Sequence, residues 1–543
     1  MNRSCPVKTV LVAIASAGLL TQLTACGPGG VPRVHLRPDV ARPNPRVVLF
    51  LCDGLSPDVL RDGCEAGWCP NIRRRFVEGG TRVENAITCV PSITYAVLTT
   101  YATGLVPAHH GVLANKWFDR AKRFYRNYGT IRHYRSVNGD FAAPTVYARM
   151  RPKTSVSIQN AVKRDVTQNF ANWAPSGVRW FFHNYTGVDK LTASTIGDIA
   201  RWSNRQGQWP HLVVCYFPAV DAVGHEFGSD SPRYRDAVAH FDTQLGRVCD
   251  WLEQEGLLER TTLILTADHG HVPIHAGIVA LANYLHDELG RSVTEHAFQD
   301  GAFETRRQYY DRFDTVLVRS ADRFATIYFR GASGWDERLD YESLRHLLHS
   351  PPEGKRLWNL PGVDVAAYLT GDDAAQLVSP RGSSRIERRA TSAGLEYRYV
   401  PVPDDVLGYL ADETLAAFVA SGFHAPRQWL AATAAQSRPG VVGQLIELLH
   451  AERCGDVVVF ADRGYGFEPE KGGHGGICRG DMRIPMMFAG PDIPDGGVVA
   501  NASAVDLAPT ILDILHVTTS AASDGISLRP ALREATRPAE IAP

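Results

Sequence analysis

An α/β fold, with a mostly parallel sheet flanked by helices and an inserted α+β module, is what this sequence predicts. Three observations point to it. Continuous apolar runs recur and end in Asp, Gly or Pro; amphipathic helical patterns lie between them; and that alternation lapses over 276–440 before it resumes.

The runs are the strand candidates. Residues 47–51 lead into Cys52-Asp53-Gly54, and similar stretches are LVVCYFPAVD (212–221), TTLILTADHG (261–270), DVVVFADRGYGF (456–467) and RIPMMFAGP (483–491). A strand covered on both faces reads as an unbroken apolar run, which suits a parallel sheet. The clearest helix spans 233–256, where Val238, Phe241, Leu245, Val248 and Leu252 recur at helical spacing and Gly256 marks the end. Strands alternating with helices give an α/β sheet, whose chemistry gathers at the carboxyl ends of its strands. Over 276–440 come shorter alternating stretches such as ATIYFRG (325–331), a polar Ser/Arg segment at 379–391 and the turn-like VPVPDD (401–406). They predict an inserted, cap-like α+β module between core segments 46–275 and 441–535.

Composition sets limits. The chain has 543 residues, 44% of them hydrophobic and 21% charged, enough apolar material for a large core. Its 57 basic and 58 acidic side chains leave a formal charge of −1, so no nucleic-acid polymer is expected as a partner. The amino terminus reads as an export address. Arg3 and Lys8 precede an apolar stretch at 9–20 that is short for a membrane span, and Leu23-Thr24-Ala25-Cys26 resembles a bacterial lipobox. Residues 1–25 are thus expected to be a lipoprotein signal peptide. Cys26 would be the lipidated membrane anchor, and the Gly/Pro-rich 26–45 a flexible tether. The protein would then be exported and held on the bacterial cell envelope, on its periplasmic or outer face. Of the remaining cysteines, Cys64 and Cys69 are the best placed for a local disulfide.

Six potential metal ligands lie at or near strand ends: Asp53, Asp221, His225, Asp268, His269 and His474. Singly, an Asp closing a strand is a turn former and a lone His is structural. Together, carboxylates and imidazoles suit two borderline, non-redox cations, and zinc fits best. Asp221 and His225 are four residues apart, so one helical turn aims both the same way.

The blocks FLCDGLSPDVL (50–60), PSITYAVLTTYATGLVPAHHGVLAN (91–115), DAVGHEFG (221–228), TADHGH (266–271) and GGHGG (472–476) resemble the metal-site blocks of the alkaline phosphatase superfamily. They are most similar to its type I phosphodiesterase/nucleotide pyrophosphatase branch. The resemblance implies one metal site of Asp53, Asp268, His269 and the Thr94 oxygen, and a second of Asp221, His225 and His474. It further implies that Thr94 is the nucleophile of a phosphoric ester hydrolase, forming a covalent phosphothreonine on two Zn2+ ions. Asn115 matches the amide that donates to a nonbridging phosphate oxygen.

Alternatives stand beside this reading. Cys89-Val90-Pro91-Ser92 is similar to a sulfatase motif, but Thr94, not Cys89, stands nine positions before Thr103-Gly104, and Ile93 occupies the place of the motif's arginine. A phosphomonoesterase is the closer rival. Related monoesterases carry Lys and Arg two apart where this chain has Gln159 and Ala161, which favours a diester, although Lys163 or Arg164 could substitute. A phospho-group transferase and a non-catalytic binding lipoprotein complete the set. Ala96-Val97-Leu98 departs from the branch's Pro-Asn-His and leaves nucleotide preference open. His109, His110 and His271 are not assigned as ligands.

Overall fold

The computed structural model describes residues 31, 34–41, 44–130, 132–171 and 173–537; the signal peptide and Cys26 lie outside them. Among the described residues two large sheets carry the fold. The first has nine strands, and at its centre Arg46–Cys52 pairs in parallel with Leu212–Phe217 on one side and Thr261–Thr266 on the other. Ser155–Ile158 and Gln168–Phe170 extend the parallel half. Every residue of Arg46–Cys52 and Thr261–Thr266 is buried, as their unbroken apolar runs require.

The helix expected at 233–256 is Pro232–Gln254. Ser231 caps it by accepting a hydrogen bond from the Tyr234 N–H, and Pro232 takes the first position, where its missing N–H costs nothing. Val238, Phe241, Leu245, Val248 and Leu252 are all buried against the sheet.

Two expected strands take other places. Met486–Ala489 joins the first sheet antiparallel to Thr261–Thr266. Val457–Ala461, expected in the parallel core, lies at the centre of the second sheet, antiparallel to Phe324–Phe329 and Val363–Gly371. That second sheet has eight strands and includes Thr315–Ala321, Ala374–Ser379, Gly382–Thr391 and Gly394–Val400. Helix Val441–His450 packs on it, so by packing the inserted unit runs to about residue 461, beyond the expected 440. A strand buried on both faces looks the same in either kind of sheet, which is why the apolar run misled.

Part of the segment expected as a tether is held against the fold. Within 34–41, Val40 is buried, the Leu36 N–H donates to Glu255 Oε2 at 2.8 Å and the Arg37 N–H to Asn204 Oδ1 at 2.8 Å. The Cys64–Cys69 disulfide is not formed: both are buried free thiols, as are Cys52, Cys89, Cys215, Cys249, Cys454 and Cys478. No helix of the described residues is long and apolar enough to cross a membrane.

Candidate active site

Strand register sets the first half of the site. Leu51 lies opposite both Tyr216 and Thr266, so the three central strands end level with one another. Asp53 follows its strand directly, Asp268 comes two residues after Thr266, and Asp221 opens the helix Ala219–Phe227 just beyond Phe217. The three carboxylates meet at the carboxyl edge of the sheet. A small three-stranded sheet, in which Val272–Ile278 pairs with Gly472–Gly473, brings His474 to the same edge.

The side chains form two triads, Asp53–Asp268–His269 and Asp221–His225–His474, each with ligand atoms within 4.8 Å of one another. In each histidine Nδ1 lies against a backbone carbonyl: Gly270 O for His269 (2.9 Å), Gly472 O for His225 (3.1 Å) and Ser92 O for His474 (2.9 Å). A carbonyl only accepts, so a proton sits on each Nδ1, and in the neutral ring Nε2 presents its lone pair to the carboxylates. His269 Nε2 is 3.3 Å from Asp53 Oδ1 and 3.4 Å from Asp268 Oδ2; His225 Nε2 is 3.1 Å from Asp221 Oδ2, and His474 Nε2 is 3.9 Å from Asp221 Oδ1. Lone pairs facing lone pairs call for a cation between them. Asp53 Oδ1, Asp221 Oδ1 and Asp268 Oδ2 are buried without a hydrogen-bond donor among the described residues, which is the same demand stated from the oxygen side. Oxygen and imidazole donors at this spacing fit a borderline divalent ion in each triad.

Electrostatics agree. Burial, and then the charges of Asp221 and Asp268, hold the Asp53 carboxyl well above the usual carboxylate range. Burial, and then His269, keep His474 well below the usual imidazole value, hence a neutral ligand. At His225 burial acts downward, but the Asp221 and Asp322 carboxylates outweigh it and push the group up to about 10. There a proton can stand in for the missing positive charge.

Thr94 is the first residue of the ten-residue helix Thr94–Thr103, and its Oγ1 lies 3.1 Å from His269 Nε2. The helix N-terminus adds a positive partial charge where an alkoxide or phosphate oxygen would sit. Asn115 Oδ1 accepts the Tyr95 N–H at 3.1 Å, which fixes the amide so that its Nδ2 donors turn away from that contact. Cys89 is buried beside Thr100, its Sγ 3.5 Å from Oγ1, and burial pushes the thiol up to about 12, so it offers no thiolate. His109 pairs with Asp524 at 2.8 Å at the surface, and His110 with Thr100 at 3.1 Å. His271 is buried 3.7 Å from Asp221 but belongs to neither triad.

Four contributors escaped sequence reasoning. Tyr216 donates its hydroxyl to Asp53 Oδ2. The Tyr234 hydroxyl donates to Gly54 O and accepts the Ser56 N–H at 3.0 Å, propping the turn after Asp53. Asp322 and Arg323 reach the site from the second sheet. Only Tyr216 left a signal, a phenol inside an otherwise apolar run five residues before Asp221.

The profile of the family "Type I phosphodiesterase / nucleotide pyrophosphatase" matches residues 47–342, and the chain belongs to that family, within the alkaline phosphatase superfamily. It is accordingly a phosphoric ester hydrolase of a metal-dependent family. It is similar to an uncharacterized pyrophosphatase/phosphodiesterase of Schizosaccharomyces pombe, 25% identical over 389 residues, 69% of this chain and 71% of that one. It is also similar to the human bis(5'-adenosyl)-triphosphatase ENPP4, 22% identical over 268 residues, 48% of this chain and 52% of that one, so it spans about half of that relative. The fold is similar to that of murine ectonucleotide pyrophosphatase/phosphodiesterase 5, with a TM-score of 0.54 at 15% identity over 90% of this chain and 100% of that one.

Gly54 closes the turn after Asp53 at φ +63°, and an added Cβ would stand 2.8 Å from Asp221 Oδ1. Gly54→Ala is therefore expected to lose about 1–2 kcal/mol from the left-handed backbone alone, and to displace Asp221. Thermal unfolding should show the first effect and reduced bound metal the second; a variant with wild-type metal content would contradict the crowding.

Proposed function

We propose that the chain is a phosphodiesterase/nucleotide-pyrophosphatase-type hydrolase acting through a covalent phosphothreonine at Thr94, with a zinc ion in each triad. The observation that carries this reading is the convergence of the two carboxylate–imidazole triads, joined by the stacked rings of His269 and His474, with the Thr94 hydroxyl against His269 at a helix N-terminus. When bound, the two ions supply positive charge that lowers the hydroxyl's pKa and offsets charge on the transferring phosphoryl group. Asp53, Asp268 and His269 hold one ion next to Thr94; Asp221, His225 and His474 hold the other. The Thr94 oxygen forms a bond to phosphorus as the ester or anhydride oxygen departs, and its proton leaves to solvent. Water then displaces the Thr94 oxygen from phosphorus and restores the hydroxyl. Throughout, the Asn115 amide donates to a nonbridging oxygen.

Thr94→Ala is expected to reduce turnover roughly a thousandfold or more while the chain remains folded and keeps the two zinc ions of the wild type. His474→Ala should lower the zinc content. Elemental analysis and steady-state rates check both; near-normal activity without the hydroxyl refutes the nucleophile, and one calcium without zinc favours the sulfatase reading.

Substrate charge points to a diester or anhydride. Gln159 Nε2 donates to Ser176 Oγ at 2.7 Å. The Arg164 guanidinium donates to the backbone carbonyls of Phe141, Ala142 and Ala143, so it is committed elsewhere. A dianionic monoester would thus lack charge-assisted bonds worth about 1.5–3 kcal/mol each. The triphosphatase name of the human relative supports an anhydride-type substrate. With one leaving group, p-nitrophenolate, kcat/KM should be higher for the diester than for the monoester, and Gln159→Lys with Ala161→Arg should narrow the gap. A tenfold preference for the monoester would instead make the chain a phosphatase.

The lipobox-like LTAC supports export and anchoring through a lipidated Cys26, since a multiply acylated cysteine holds a membrane far more firmly than one chain does. Cys26→Ser behind a substitute secretory signal is expected to give soluble protein on cell fractionation. A mature wild-type form beginning at any other residue rules the anchor out.

A further inference from the structure

The hairpin of Thr315–Ala321 and Phe324–Phe329 belongs to the second sheet, yet its tip, Asp322-Arg323, is buried in the metal centre. Asp322 Oδ2 lies 3.4 Å from His225 Nδ1, on the ring edge opposite the nitrogen that faces Asp221. The Arg323 N–H donates to the backbone carbonyl of His474 at 3.0 Å. The tip is itself pinned: the Phe467 N–H donates to Asp322 O at 2.6 Å, and Arg323 Nε donates to the buried Asp481 at 2.9 Å. Gly473 leaves room for Asp322, because a Cβ there would stand 2.5 Å from the Asp322 Cβ.

We infer that Asp322 is a positioning residue that sets the cation affinity of the Asp221–His225–His474 triad. The inference rests on the two-metal reading above. A carboxylate beside the Nδ1–H of a ligand histidine fixes its tautomer and ring plane and raises the basicity of Nε2. Here His225 Nδ1–H already meets Gly472 O at 3.1 Å, so Asp322 adds negative charge at the same proton. Among the described residues the other triad has no such partner: His269 Nδ1 meets the Gly270 carbonyl. The inserted unit thereby acts on one metal site and not on its neighbour.

The test titrates metal-stripped, full-length chain with zinc against a chromophoric chelator. The wild type should take up two ions. Asp322→Asn should bind one as tightly as the wild type and the other about ten- to a hundredfold more weakly, with unchanged melting of the metal-free chain. Asp322→Glu, which keeps the charge, should stay closer to wild type, and Asp322→Ser repeats the test should the Asn chain not fold. Two wild-type affinities in the neutral variants overturn this inference alone. A wild type that takes up no zinc overturns the two-metal reading and the inference with it.

Discussion

Three carboxylates, two buried and one nearly so, crowded at the end of one parallel sheet are the constraint on which the rest of this structure depends. Taking an isolated carboxylate out of water is costly, and three within one small volume repel one another as well. Asp53, Asp221 and Asp268 each retain an oxygen without a donor among the described residues, although Tyr216 satisfies the other oxygen of Asp53 and backbone N–H groups that of Asp268. The protein answers part of that cost with imidazoles whose Nε2 lone pairs point inward. The balance is left to cations, and metal binding thereby becomes folding free energy for this edge of the sheet.

That constraint explains where the precision lies. The strands beneath the site are buried along their whole length and apolar at their centres, so their ends hold position within a rigid frame. All three histidines turn Nδ1 to a backbone carbonyl, which cannot change protonation state, and His225 has the Asp322 carboxylate beside the same nitrogen. Thr94 takes its place from the start of a helix whose ten residues include nine buried ones, so the proposed nucleophile belongs to the core and not to a surface loop.

The second sheet is part of the same machine. Its central strand, Val457–Ala461, arrives from the chain segment that goes on to His474, and its Asp322-Arg323 turn contacts both His225 and the His474 backbone. The buried Arg323–Asp481 pair joins the two units where water is excluded, so breaking one partner would leave an uncompensated charge. A cap that merely covered the substrate would need no such tie.

The sequence by itself determined the centre of the parallel core, the long helix expected at 233–256 and the six Asp and His residues that meet in the two triads. Each rests on local chemistry: apolar runs, a 3.6-residue period, and motif blocks whose ligands follow strand ends. It put the run at 457–461 in the parallel core, whereas the second sheet receives it, because burial on both faces reads the same in either sheet. It placed a flexible tether over 26–45, within which Leu36 and Val40 pack, and paired Cys64 with Cys69, which remain thiols. Tertiary structure alone decided that Tyr216 would hold Asp53 and that Asp322, 97 residues after His225, would face its ring. Contacts of that kind are made by packing one sheet against another, and no periodicity or spacing along the chain encodes them.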